Sequence, residues 1–521
     1  MALKCAKCTD LSVERLVYHA EEEFQGGSFP KVAYFKHHDS LVNLETSADK
    51  GCALCRLILR GLHETRYDGS WVEPGGSDDS SMYSLAEDLS SSDIKIAINS
   101  SHIYSFRSLE EVHMFDTLLV QVGPPEGLGS EHSDPYANGS IPPLELSIQC
   151  PRKRLHLGKY LIGRGYIDPD LAAPSNFGIS RKWLHDCQNL HEKCLSQALQ
   201  QLPSRVIDVG PADGSQPPRL MLSLEMKDEY TALSHCWGGK ISSVLLNDNI
   251  ESYQHALPYE SFPANFQHAI AITRHLGKRY LWIDSLCIIQ DSKRDWEIES
   301  KKMYQVYRNS TLTISAMASR SSTHGILTEE PIKAIEEPPI CLSTRANGSE
   351  NEFVHIERMS HDEESLRSLD ISAPLSRRGW VLQESVLSPR LLYYGSGQIY
   401  WRCPRGYQSA NRIPPGNKTP DYPLRTLSLV LYHDILSHPF EHPDVEILFA
   451  EYYQMVSEYS HRRLTFDSDK LPAFSGLCQG LQSAIGGDYL AGHWTKDFGF
   501  SLLWYSQDSE CRHVHPYRAP S

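Results

Sequence analysis

Glu384 stands in the run Arg378-Gly-Trp-Val-Leu-Gln-Glu-Ser385, four residues after Trp380. If the run is helical, the carboxyl and the indole share one face, bordered by Val381 and Leu387. A carboxylate among apolar neighbours is poorly solvated. It is then either a buried ion-pair partner, with Arg378 or Arg390 as the partner, or a group tuned for catalysis.

Two upstream runs carry groups of the same kind. Tyr230-Thr-Ala-Leu-Ser-His-Cys-Trp-Gly-Gly239 leads from an apolar stretch into Ser234, Trp237 and Gly238. Adjacent glycines let the backbone approach a ligand closely, and free N–H groups there can hold phosphate; a plain tight turn is the competing reading. Tyr280-Leu-Trp-Ile-Asp-Ser-Leu-Cys-Ile-Ile-Gln290 ends a second apolar stretch on Asp284. Asp284 either faces a cleft and binds substrate or holds the following loop. Cys287 becomes a nucleophile only beside a base or a cation, and His235 is a candidate base by position alone. A buried, inert thiol is the favoured reading there.

Metal chemistry has its own signals. Cys5-x-x-Cys8 and Cys52-x-x-Cys55 each have the bite of a tetrahedral Zn²⁺ site, and His37 or His38 could replace one thiolate. The alternative is reduced thiols packed beneath the helix that follows Cys52. The long separation between the pairs weakens the zinc signal. Cys187-x-x-x-His191-x-x-Cys194 brings three donors to roughly one helical face, without an obvious fourth.

These groups must be positioned by ordinary secondary structure. Tyr230–His235 is a short apolar run that suits a buried strand. Phe266, Ala269, Ile270, Thr273 and Leu276 recur at helical spacing, with Gly277 as the stop. Tyr280–Asp284 reads as the next strand, Asp295 as the cap of a helix carrying Trp296, Met303, Val306 and Tyr307, and Thr311–Ala316 as a further strand. Tyr280, Trp282, Trp296, Tyr304 and Tyr307 are expected in the core. Alternating strands and helices imply a parallel α/β sheet with ligands beyond the carboxyl ends of its strands. Leu391–Tyr394, Gly395-Ser-Gly397 and Gln398–Trp401 form a hairpin pattern, and Val445 to Ser460 a helix.

Composition narrows the function classes. The 521 residues carry a net charge of −15, which argues against broad binding to nucleic acid or anionic membrane. Hydrophobic content of 40% and charged content of 22% fit a soluble globular protein. No stretch approaches the about 18 apolar residues of a membrane span. The start lacks the apolar run of a secretory signal, so a cytoplasmic location and mostly reduced cysteines are expected.

The three blocks Tyr230–Gly239, Tyr280–Asp291 and Asp295-Trp296 with Met303–Asn309, in this order, resemble the fungal heterokaryon-incompatibility (HET) domain. The resemblance spans roughly Tyr230 to Trp401. Flanking runs at Trp183–Cys187 with His191 and Cys194, at Arg205–Val209 and at Ser468–Gly476 are similar to the family as well. It implies a role in fungal non-self recognition and regulated cell death, with self-association or an incompatibility partner protein. Trp380-Val-Leu-Gln-Glu384 is also similar to the Trp-Cys-x-x-Glu run of the TIR domain, Val381 replacing Cys. That resemblance implies a TIR-like parallel-sheet α/β core and cleavage of the nicotinamide–ribose bond of NAD⁺. Glu384 would then be catalytic, and Ser234, Trp237, Gly238, Asp284 and Trp380 would line the substrate site. A non-catalytic signalling or scaffold module, or an accessory protein without a death role, are the other readings. The expected organisation is a Cys/His-bearing N-terminal segment (1–66), a variable region with acidic and Pro/Gly-rich loops (67–179), the HET domain (180–405) and a C-terminal α+β extension packed on the core (406–521).

Overall fold

A computed structural model describes residues 3–24, 33–67, 90–99, 114–123, 143–150, 155–158, 160–191, 194, 199–328, 340–344, 352–358, 364–412, 430–431, 444–490 and 492–503. The acidic, Ser-rich stretch and the Gly/Pro-rich link before Pro143 lie largely outside these residues. The chain divides into two compact units: 1–166 with 332–363 and 411–413, and 167–331 with 364–410 and 414–521.

The second unit is built on a sheet of eight strands. They are β1 (Arg205–Asp208), β2 (Arg219–Leu222), β3 (Tyr230–Ser234), β4 (Tyr280–Trp282), β5 (Leu312–Ser315), β6 (Leu391–Tyr394), β7 (Ile399–Cys403) and β8 (Gly406–Ser409), in the spatial order β2-β1-β4-β3-β5-β6-β7-β8. β4, β3, β5 and β6 run parallel, with Ala232 opposite Trp282, Ser234 opposite Ser315 and Ser315 opposite Tyr393. These strands are continuously buried, which is why they read as apolar runs without alternation. Helices α1 (Pro174–Asn189), α2 (Ala264–His275), α3 (Lys293–Asn309), α4 (Gly379–Leu387), α5 (Val445–Ser460) and α6 (Pro472–Ile485) belong to the same unit. Val206, Phe266, Ile270, Leu281, Trp282, Tyr307, Leu312 and Leu387 share one core. Ser292, not Asp295, caps α3: its hydroxyl accepts the Asp295 N–H at 3.2 Å. Trp296, expected in the core, is 39% exposed on that helix.

The first unit holds a seven-stranded sheet. Its path runs Phe35–His38, Ile94–Asn99, Thr117–Val122, Leu144–Cys150, Glu352–Arg358, Ile340–Thr344, every pairing along it antiparallel. Helices Val13–Phe24, Leu41–Asp49 and Ala53–Tyr67 accompany it, and Leu16, Leu44, Ile58, Ile96, Leu118, Leu146 and Val354 lie in its core.

A parallel-sheet, TIR-like core is therefore not the fold of this chain, which is mixed α/β with antiparallel pairings in the majority. Connection length is the physical reason. Parallel neighbours need a long crossover, whereas short links return the chain antiparallel. β6 and β7 are joined across Gly395–Gly397, with Gly395 N–H donating to Gln398 C=O at 3.0 Å, and β7 and β8 by two residues. β1 and β2 pair antiparallel as well, and β1 also pairs antiparallel with β4. The N-terminal Cys/His-bearing residues belong to a unit whose sheet takes in strands from 340–358.

Candidate active site

Ser234 is the last residue of β3, and Asp284 follows β4 by one residue and opens the short helix Asp284–Cys287. The two strands are parallel neighbours, so both residues emerge at the same carboxyl edge. Glu384 arrives on α4. The short helix is held by Arg205, which donates to Cys287 C=O at 2.7 Å and pairs with Asp295 at 2.5 Å; Asp295 also accepts the Ile289 N–H at 2.8 Å.

Asp284 is the hub. Trp237 Nε1–H donates to its Oδ2 at 2.9 Å, Ser285 N–H donates to its Oδ1 at 2.7 Å, and His235 Nε2 lies 3.6 Å from Oδ1. Burial pushes its pKa up, but the His235 and Arg378 charges and the Trp237 hydrogen bond outweigh that and leave it below the usual carboxylate range. The side chain nevertheless keeps 28% of its surface in solvent.

Glu384 is the opposite case. It is only 6% exposed, and burial raises its pKa against the lowering influence of Arg378, Ser234 and His235, with the Asp284 charge adding to the rise. Arg378 acts on it through its charge, while its guanidinium donates to the His235 carbonyl. Arg390 is committed elsewhere, to Cys187 Sγ, Cys194 C=O and Thr311 C=O. Tyr307 donates to Leu233 C=O at 3.3 Å and also faces the Glu384 carboxyl. The result is two acids of one site with pKa values displaced in opposite directions, the arrangement that separates acid from base roles.

Hydrogen-bonding capacity is left over around them. Ser234 Oγ, His235 Nε2 and Ser285 Oγ are buried and make no hydrogen bond of standard geometry. Ser234 faces the Glu384 carboxyl and His235 the Asp284 carboxylate, which leaves the Ser285 hydroxyl; buried polar atoms are nearly always paired, so it is placed to take a bound water or ligand.

The remaining expected residues separate. Trp380 donates its indole N–H to Asp469 at 3.2 Å and packs on the core. Gly238 has φ +71°, and a Cβ there would lie 2.1 Å from Ser321 Cβ, so the close backbone approach is to the chain's own loop. Gly239, at φ +135°, faces open space. Cys287 is buried and its thiol is pushed up to about 12 by desolvation, which removes it as a nucleophile near neutral pH. Arg378, expected as an ion-pair partner of Glu384, does act on that carboxyl through its charge; Tyr307, expected only in the core, is the member of this centre that sequence reasoning missed, because nothing in its local run marks its orientation. A recess of about 280 Å³ lined by Gly210, Arg274, Lys278 and Arg279 lies beside the start of β4, away from Asp284. Its cations are engaged by Asp208, Glu229 and Val209 C=O.

In the first unit the metal-ligand pairs meet. The sulfurs of Cys5, Cys8, Cys52 and Cys55 lie within 4.8 Å of one another, with Cys8–Cys55 at 3.6 Å and Cys5–Cys55 at 3.8 Å. His37 Nε2 stands 3.4 Å from Cys8 Sγ, and His38 Nε2 3.4 Å from Cys55 Sγ. A tetrahedral Zn²⁺ with Zn–S of about 2.3 Å has sulfur–sulfur edges of roughly 3.8 Å. The thiols fit that ion, and the imidazoles are placed to hydrogen-bond the thiolates or to exchange with one of them.

Residues 230–384 match a family model described as heterokaryon incompatibility protein (HET). The chain carries a HET domain. The match begins at the first residue of β3 and ends on Glu384, so it brackets the Ser234–Asp284–Glu384 centre. Comparison with curated proteins and with solved structures finds no match. Among the described residues, no helix of the HET domain or its surroundings is long and apolar enough to cross a membrane.

Proposed function

We propose that this HET domain protein acts in fungal non-self recognition and regulated cell death, and that its centre cleaves the nicotinamide–ribose bond of NAD⁺. The observation that carries the reading is the acid pair itself: a partly exposed Asp284 whose pKa is lowered beside a buried Glu384 whose pKa is raised, with the Ser285 hydroxyl buried and without a hydrogen-bond partner. Breaking this bond sends its electron pair to the nicotinamide nitrogen, which leaves neutral, and develops positive charge on the ribose. The Asp284 carboxylate stabilises that charge, and water adds at the ribose carbon with loss of its proton to the carboxylate or solvent. Glu384, whose burial favours the protonated form, holds a ribose hydroxyl and with it the sugar. No general acid is required for a leaving group that starts as a cation.

The test is nicotinamide release by the purified protein at high concentration, beside Glu384→Gln and Asp284→Asn. Release by the wild type with loss of about 100-fold or more in each variant supports the reading. No release from any of them, even with crowding to force self-association, sinks it.

A second reading has its own observation. Ser234 is 2% exposed and Gly238 is closed over by Ser321, so part of the centre is packed as a structural core. On that reading the HET domain signals without catalysis, by self-association or through an incompatibility partner protein. We also assign a structural Zn²⁺ to Cys5, Cys8, Cys52 and Cys55, on the sulfur–sulfur distances given above.

A further inference from the structure

We propose that the HET-bearing unit holds a structural Zn²⁺ of its own, bound by Cys187, His191, Cys194 and Cys403. Cys187 lies in the last turn of α1, and His191 follows the helix end. The chain then turns, with Cys194 N–H donating to His191 C=O at 2.8 Å. Cys403 comes from the last position of β7, more than two hundred residues away. All four are buried, and their donor atoms lie within 4.8 Å of one another.

Distance and chemistry select the ion. His191 Nδ1 and Cys403 Sγ stand 3.6 Å apart. Zn–S of about 2.3 Å and Zn–N of about 2.0 Å give a tetrahedral S–N edge of roughly 3.5 Å. Three soft thiolates and one imidazole in a closed, fully protein-supplied set are a structural zinc site, with no position left open for water. A disulfide could join two of the three sulfurs only and would strand the third beside an imidazole.

The surroundings fit a bound metal as well. Arg390 Nε–H donates to Cys187 Sγ at 3.1 Å and its Nη2 to Cys194 C=O at 3.0 Å, from a fully buried guanidinium. Zn²⁺ with three thiolates and a neutral histidine carries one net negative charge, which the guanidinium compensates while hydrogen-bonding a ligand sulfur. Arg390 lies between α4 and β6 and also donates to Thr311 C=O at 3.3 Å. The metal thus cross-links the end of α1 to the end of β7 and anchors the segment that leaves α4, the helix that carries Glu384.

The experiment is elemental zinc analysis of the full chain purified without chelator, as wild type, Cys403→Ser, and Cys8→Ser/Cys55→Ser. We expect two zinc ions per chain in the wild type and one in each variant. One zinc that survives Cys8→Ser/Cys55→Ser and vanishes in Cys403→Ser upholds this site and rejects the N-terminal one. A zinc content untouched by Cys403→Ser overturns this site. Should Cys403→Ser fail to fold, His191→Cys supplies the check, because it keeps four zinc donors. After cobalt exchange it should bind as much metal as wild type with stronger sulfur-to-metal absorption; a spectrum identical to wild type overturns the assignment. None of these readouts depends on NAD⁺ turnover.

Discussion

At the scale of single residues, Asp284 and Glu384 make opposite contributions to pH-dependent stability. Glu384 has its folded pKa raised, so its contribution is fully present below the ordinary glutamate value and is lost as pH rises through the folded pKa. Asp284 has its folded pKa lowered, so its contribution is present above the ordinary aspartate value and is lost as pH falls through the folded pKa. Glu384→Gln keeps the shape and removes the ionisation. Relative to wild type it should gain stability as pH rises from 4.5 to 8, whether or not it abolishes NAD⁺ cleavage. Urea unfolding across that range checks this; a variant that becomes less stable toward high pH would mean the buried group is a paired carboxylate. Asp284→Asn should lose its deficit relative to wild type on acidification, because the wild-type charge is then protonated as well.

At the scale of elements, two local devices hold the strand ends where the centre forms. The turn after β3 places Gly238 in the left-handed region with Ser321 Cβ where its own Cβ would be. Gly238→Ala combines backbone strain with overpacking and should cost about 3 kcal/mol, while Gly239→Ala meets open space and should cost about 1. Equal unfolding midpoints for the two variants would refute the packing argument. The Ser292 cap fixes the start of α3, from which Asp295 holds Arg205 and the Ile289 N–H. Ser292→Ala should cost about 1 kcal/mol by thermal or chemical unfolding, and a neutral outcome would show that Arg205–Asp295 fixes the helix start unaided.

At the scale of the molecule, each compact unit has its own sheet, its own core and its own buried cluster of metal donors. Zinc that binds only the folded state adds its binding free energy to stability, which is on the order of 10 kcal/mol for small structural sites. Chelator should therefore lower the unfolding midpoint of the wild type sharply. In Cys8→Ser/Cys55→Ser the remaining chelator sensitivity should come from the HET-bearing unit alone. A midpoint that ignores chelator in the wild type contradicts structural zinc in either unit.

Much of this protein was legible residue by residue because the governing forces are local. The buried strand at Tyr230–Ser234, the helix spacing of Phe266 to Thr273, the Gly395–Gly397 hairpin and the Val445–Ser460 helix all follow from side-chain periodicity and turn chemistry. The HET blocks were equally readable as words in order. What failed was the inference from alternating strands and helices to a parallel core, since strand direction depends on which neighbour a strand meets. Glu352–Arg358 pairs with Leu144–Cys150, some two hundred residues earlier, and nothing in either run specifies that partner. Cys403 is a similar case: alone it is one apolar-seeming residue at a strand end, and only the fold carries it to Cys187, His191 and Cys194. Ligand type and spacing are written in the chain, but convergence, burial and the displaced acidities of Asp284 and Glu384 are properties of three-dimensional neighbours, because desolvation and charge act through space and not along the sequence.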